Sequence, residues 1–196
     1  RKVFETCHFV QGPEVEKFET SFAELCGTKY ALGLNSGTDA IFLALKTFDI
    51  GLGDEVITAP NSFVASAGAV AAAGGIPAFV DVANDYNIDV KLIEGVITPK
   101  TKAIIPVHLT GNLADMTKIM EIAKRHDLQV IEDSAQSVGS AIKNRSAGSF
   151  GDVGCFSLHP LKNLNAGGDG GVLTTDSEEI YNSIKMLRNH GFKNRD

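Results

Sequence analysis

Three stretches, TKAIIPVHL at residues 101–109, LQVIED at 128–133 and VGCFSL at 153–158, are largely apolar without the polar/apolar alternation of a half-buried strand. A short run of this kind is a strand buried on both faces, and such a strand needs a layer of structure above it and another below. The intervening segments have the matching character, since residues 116–126 space their apolar positions like one face of a helix. Strands that alternate with helices and are covered on both sides leave few architectures. The expectation is an α/β protein, a three-layer αβα structure with a mostly parallel central sheet.

The rest of the chain fits that frame. Residues 13–26 place Val15, Phe18, Phe22 and Leu25 at helical spacing, with Gly27 as a stop. A strand over 30–34 runs into Asn35-Ser36-Gly37-Thr38-Asp39, and the helical pattern AIFLALKTF follows. After a turn at 51–54 come the strand DEVITAP, an alanine-rich helix over 63–73 closed by Gly74-Gly75, the strand GIPAFVDV and a helix over about 90–97. No repeat or low-complexity linker interrupts the series, so 1–196 reads as one domain with an N-terminal helical segment at about 13–26. The chain begins without methionine and stops at Asp196 directly after a helix-like run, from which an incomplete chain is expected.

Composition narrows the function. Apolar residues make up 43% and charged residues 21% of the 196, an ordinary globular balance. A net charge of -6 without a concentrated basic face argues against nucleic acid as partner. No apolar run approaches the roughly 20 residues that cross a bilayer, and RKVFETCHFV lacks the apolar segment of a signal peptide, so no membrane partner and a cytoplasmic location are expected. Cys7, Cys26 and Cys155 are odd in number and unpaired by motif, and read as small core hydrophobes. His8, His108, His126, His159 and His190 lack HExxH spacing, so no metal site is expected.

In a parallel sheet ligands bind beyond the carboxyl ends of the strands. The residues to inspect are therefore 35–39, 61–63, 108–111, 133–136 and 157–162. Gly37 and Thr38 open a helix, where free backbone N–H groups suit a phosphate, although Ser36 or Thr38 serving as a plain N-cap explains the same pattern. Asp133 closes an apolar strand as either a helix cap or a carboxylate in need of a cationic partner. Gln136 reads as a solvated amide, Ser157 as a local backbone partner and Phe63 as core, unless the edge they share is a site. Lys162 follows a break at Pro160 and precedes a segment rich in glycine. It is either a solvated loop lysine or an amine used chemically, for which an imine with a carbonyl cofactor is one common form.

These stretches together resemble a known family. NSGTDA at 35–40, GDEVITAPNSFVAS at 53–66, IEDSAQSVGS at 131–140, GSFGDVGCFSLHPLKNL at 148–164 and GDGG at 168–171 are similar, in this order, to the DegT/DnrJ/EryC1/StrS family of sugar aminotransferases. These are pyridoxal-phosphate enzymes of fold-type I, and the likeness covers nearly the whole chain. It implies that Lys162 forms the imine with pyridoxal 5'-phosphate and later moves a proton between the substrate and the cofactor. Asp133 would pair with the pyridinium nitrogen, Gln136 would hydrogen-bond the ring 3-oxygen, Phe63 would lie against the ring face, and Gly37, Thr38 and Ser157 would hold the phosphate. His159 falls in the same loop without an assigned role.

The implied reaction passes an amino group from an amino acid donor, usually L-glutamate in this family, to a keto group on a nucleotide-linked deoxysugar. Family members are about twice as long, with a C-terminal small domain that this sequence lacks, and they act as homodimers with shared active sites. On that basis 1–196 is the cofactor-binding large domain, and the sugar, its nucleotide and the aminated carbon stay unassigned. Three rival readings follow. A deoxysugar dehydratase relative would carry histidine in place of Lys162. A truncated, non-catalytic fragment of the same fold is favoured by length and opposed by the intact set Asp133, Gln136, Ser157 and Lys162. A nicotinamide site would rest on the glycines at 167–171, which lack GxGxxG order.

Overall fold

The computed structural model describes residues 2–192. In chain order its elements are α1 (Lys2–Thr6), α2 (Pro13–Cys26), β1 (Tyr30–Leu34), α3 (Gly37–Thr47), β2 (Glu55–Thr58), α4 (Ala65–Ala73), β3 (Ile76–Phe79), α5 (Val90–Ile93), β4 (Thr101–Ile105), α6 (Met116–His126), β5 (Gln129–Asp133), β6 (Ala141–Ile142), β7 (Arg145–Ser146), β8 (Val153–Ser157), β9 (Gly171–Thr175) and α7 (Glu178–Arg188). Single 3-10 turns lie at Glu94–Val96 and Leu109–Gly111.

Seven strands form one sheet in the order β1-β9-β8-β5-β4-β2-β3, and β6 pairs with β7 in a small hairpin. The pairs β3/β2, β2/β4, β4/β5 and β5/β8 are parallel, while β9 runs against both its neighbours. Adjacent residues of each strand feed opposite faces, which is why the strands read as continuous apolar runs. Val56, Ala103, Ile105, Ile131 and Leu173 meet Ile41 and Leu45 of α3, Val70 of α4 and Ile184 of α7. Their neighbours Ile57, Ile104 and Val130 meet Ile93 of α5 and Met116, Ile119 and Ile122 of α6. At the β1 end, Phe22 and Cys26 of α2 cover Ala31, Phe156 and Val172, with the rings of Phe22 and Phe156 edge to face at 5.0 Å. Each fully buried side chain of this size contributes about 1.5–3 kcal/mol of transfer free energy. The expected αβα layering is thus present, with the core divided between the two faces of the sheet.

The helix ends follow local chemistry. Ser36 caps α3 by accepting from the Asp39 N–H at 3.0 Å, and Asp115 caps α6 by accepting from the Lys118 N–H at 3.2 Å. Gly27 ends α2 in the left-handed region at φ 70.

Several details differ from expectation. Leu25 is 51% exposed because the buried stripe of α2 runs through Phe22, Ala23 and Cys26. The helix expected over 63–73 begins at Ala65, since residues 60–64 form a turn held by Asn61 Nδ2 donating to the Tyr86 carbonyl at 2.9 Å. The helix expected over 90–97 is a single turn continued as 3-10, with Gly95 and the β-branched Val96 at the point where it tightens. The segment after the glycine run is a strand, β9. Cys7 is exposed, unlike the buried Cys26 and Cys155. Among the described residues no helix is long and apolar enough to cross a membrane.

Candidate active site

A cavity of about 390 Å³ opens beyond the carboxyl ends of the parallel strands. Gly37, Thr38, Phe63, Asp133, Gln136, Ser157 and Lys162 all line it, so the structure brings these seven together, whereas residues 108–111 are not part of its wall. His159, Val107, Ser62 and Asp169 share its wall.

Asp133 is the last residue of β5 and is 5% exposed. Its Oδ2 accepts from Ser66 Oγ at 2.6 Å, and its Oδ1 accepts from the Ala135 N–H at 3.2 Å. None of the ion pairs among the described residues involves it. A carboxylate removed from water without a cation costs several kcal/mol unless something else in the site carries positive charge.

Gln136 is held by its oxygen, which accepts from the Thr110 N–H at 2.8 Å. That leaves its NH2 group, a donor, for the cavity. Thr110 sits at φ 53, a left-handed conformation that costs a β-branched residue about 1–2 kcal/mol, and the strain lies in the turn that reaches Gln136.

The start of α3 forms another wall. Gly37 and Thr38 stand in the first turn, where backbone N–H groups have no acceptor within the helix and the helix dipole favours an anion. The approach of strand ends to this turn is close. A Cβ at Gly37 would lie 2.8 Å from the Cβ of Ser157, and one at Gly171 would lie 2.2 Å from the Ser36 carbonyl oxygen. Ser157, 8% exposed at the end of β8, is thereby set beside the helix N-terminus.

The loop after β8 folds back on itself. Leu158 N–H donates to the Gly170 carbonyl and Ala166 N–H to the Leu158 carbonyl, both at 2.8 Å, so that Lys162 returns to the cavity wall. Lys162 N–H donates to the His159 carbonyl at 2.8 Å, and the imidazole Nδ1 of His159 accepts from the Leu161 N–H at 3.2 Å. Lys162 is half-buried and makes no ion pair among the described residues. Phe63 and Leu161 stay 67% and 88% exposed, which leaves an apolar rim at the mouth.

Sequence reasoning passed over Asp169 and Ser66, and gave Thr110, within the 108–111 stretch, no role. Asp169 arrives from a glycine loop without periodicity, Ser66 lies inside an alanine-rich helix, and Thr110 contributes its backbone. Of these only the acid flanked by glycines in GDGG left a legible signal. A second cleft, about 530 Å³, lies between α2, β1 and α7, where Arg188 already pairs with Glu19.

The chemistry of the donors fits a phosphorylated, nitrogen-containing aromatic aldehyde. Amides at a helix start suit its phosphate, an uncompensated buried carboxylate suits a protonated ring nitrogen, and an amine stands within the same cavity. Lys162 and the buried Asp133 line one cavity where the strands of a three-layer αβα fold end, and that layering is the fold of the fold-type I aminotransferases.

The particular family is also clear. The chain belongs to the DegT/DnrJ/EryC1/StrS aminotransferase family, whose model matches residues 1–196. It is 48% identical over 191 residues to the UDP-N-acetyl-3-dehydro-alpha-D-glucosamine 3-aminotransferase of Acidithiobacillus ferrooxidans, covering 97% of this chain and 52% of that protein. Among solved structures, DesV of Streptomyces venezuelae in complex with a ketimine intermediate superposes with a TM-score of 0.96 at 43% identity, over 99% of this chain and 53% of that one. NtdA of Bacillus subtilis with bound cofactor PMP gives 0.92 at 39% identity, over 98% and 43%. The chain spans about half the length of the curated relatives it matches.

Proposed function

We propose that this chain is the cofactor-binding large domain, residues 1–196, of a pyridoxal-phosphate-dependent sugar aminotransferase. The amino group would come from an amino acid, L-glutamate, which leaves as its 2-oxo acid. The keto group of a nucleotide-linked deoxysugar would take the nitrogen and release its oxygen as water. The observation that carries the reading is that Lys162 and the uncompensated Asp133 line one cavity. The relatives' names support the substrate class, since one is an aminotransferase of a UDP-linked dehydro sugar.

When bound, the cofactor supplies an aldehyde that accepts the amine and a ring that withdraws electrons. The chain's residues divide the remaining work. Lys162 would hold the cofactor through its Nζ and, once the incoming substrate amine has displaced it as a free amine, would carry a proton from the substrate carbon and return it on one face, which fixes stereochemistry. Asp133, oriented by Ser66, keeps a proton on the ring nitrogen. The NH2 of Gln136 would donate to the ring oxygen, the amide oxygen being already engaged by Thr110. The Gly37 and Thr38 amides and Ser157 Oγ would hold the cofactor's phosphate, and Phe63 would lie against its ring. The exposed Phe63 and Leu161 at the rim are surface that a second copy would cover, in keeping with a homodimer of shared sites; a cytoplasmic location is part of the same proposal.

Adding pyridoxal phosphate to the purified protein tests this reading. An absorbance band near the visible edge is expected, and Lys162→Arg should abolish it while leaving the circular dichroism unchanged. An unchanged band in the variant would refute the assignment. A wild-type protein that takes up no cofactor would favour the non-catalytic fragment.

A further inference from the structure

Glu132 precedes Asp133 in β5 and faces the opposite side of the sheet, fully buried. Its Oε1 accepts from the Phe150 N–H at 2.6 Å and the Gly151 N–H at 2.7 Å. Its Oε2 accepts from the Gly148 N–H at 2.9 Å and from His108 Nε2 at 2.8 Å. His108 is equally buried, and its Nδ1 accepts from the Ala114 N–H at 3.2 Å. An imidazole that accepts at Nδ1 carries its proton on Nε2, so the ring is a fixed donor to Glu132.

This pair ties together three segments that lead to or hold residues of the cavity wall. The loop at 148–151 leads into β8, which ends at Ser157. Strand β5 ends at Asp133. The turn after β4 begins at His108, whose N–H donates to the Asp133 carbonyl at 3.0 Å, while the Asp133 N–H donates to the Pro106 carbonyl at 2.9 Å. Two residues further on, the Thr110 N–H holds Gln136. A buried carboxylate that satisfies four donors orders the groups that donate to it.

We propose that Glu132 and His108 are positioning residues, which fix Asp133 and Gln136 at the cavity wall by locking the 108–111 turn onto β5. The part of this that concerns cofactor retention rests on the proposed function; the geometric part does not.

Two substitutions separate the possibilities. In Glu132→Gln the side-chain oxygen can accept from two donors only, and the NH2 confronts the other two. Moving the imidazole proton to Nδ1 does not relieve this, because Nδ1 faces the Ala114 N–H. His108→Leu deletes the donor, whereas His108→Gln keeps an N–H that can reach Glu132.

Amide hydrogen exchange reads the geometry with or without cofactor. Glu132→Gln and His108→Leu should speed exchange at Asp133, His108 and Thr110 by about tenfold or more, with Val56 and Ile57 in β2 unaffected. His108→Gln should stay near wild type. Pyridoxal phosphate retention, followed by the visible band during dialysis, should fall by on the order of tenfold in the first two variants and recover in the third, as it does when groups behind a ligand are removed. Wild-type exchange at those three amides in folded Glu132→Gln and His108→Leu overturns the proposal. If Glu132→Gln does not fold, equal exchange in His108→Leu and His108→Gln overturns it instead. Global unfolding of both Glu132→Gln and His108→Leu also overturns it, by making the pair a requirement of the fold and not of the site. Failure of the wild type to bind the cofactor would sink the proposed function while the exchange data still decide this one.

Discussion

Ser134 sits between Asp133 and the turn that carries Gln136, and its hydroxyl is buried without a hydrogen-bond partner. Its backbone is fully used, since the N–H donates to the Cys155 carbonyl at 2.8 Å and the carbonyl accepts from Ser137 N–H at 3.0 Å. An orphaned hydroxyl costs more than it returns, and alanine has nearly the same shape without it. Ser134→Ala should therefore raise stability by about 1 kcal/mol, seen as a higher urea midpoint at unchanged m-value. Neighbouring polar groups behave differently. Ser66 donates to Asp133, and Ser157 stands beside the α3 N-terminus, so both have chemistry to perform. From the sequence these serines look alike. What distinguishes them is the partner, or lack of one, that the fold places beside each hydroxyl, which residue type does not encode.

Asp152 links elements, and its effect on stability depends on pH. Its Oδ2 accepts from the Val130 N–H of β5 at 2.7 Å, and its carbonyl accepts from Thr175 Oγ1 of β9 at 2.8 Å. Burial pushes its pKa above the ordinary 3.8, against the lowering effect of the Val130 hydrogen bond. A carboxyl whose pKa is raised by folding contributes stability that is full below its unfolded value and lost as the pH rises through the folded value. Asp152→Asn keeps an acceptor oxygen for Val130 and cannot ionise. At pH 7 the variant should be at least as stable as wild type, and the wild type should gain on it as the pH falls through the window between the raised value and 3.8. Denaturation midpoints measured across that window check the sign; a wild type that loses ground there refutes it. Gly171 is the other element-scale contact. A Cβ there would collide with the Ser36 carbonyl at 2.2 Å, so Gly171→Ala should part β9 from the α3 N-terminus. A loss of about 3 kcal/mol in the denaturation free energy is expected, together with weaker phosphate retention.

At the scale of the molecule, the legible part was the part written in periodicity. Runs such as TKAIIPVHL announced doubly covered strands, and the rule that ligands gather at their carboxyl ends led to Asp133, Ser157 and Lys162 before any contact was known. β9 was not legible because VLTT follows a glycine run and one of its two partners, β1, lies far away in sequence. The β6/β7 hairpin was hidden for a related reason. Its turn places Lys143 and Asn144 at φ 50 and 63, conformations that glycine usually marks. Asp169 lines the cavity and Thr110 holds Gln136 there, both from irregular loops whose paths are set by tertiary contacts. The family resemblance supplied residue roles that no pattern in the chain could have given.

The sheet order carries a consequence for synthesis. β1 emerges from the ribosome early, yet its neighbour in the sheet is β9, with Tyr30 opposite Thr175 and Leu34 opposite Gly171. Until residues 171–175 are translated, the first strand has no edge to join, and α2 has only part of the surface it covers. β1 is thus made well before the strand it pairs with, and a nascent chain halted before residue 171 should leave residues 13–34 open to chaperones and proteases.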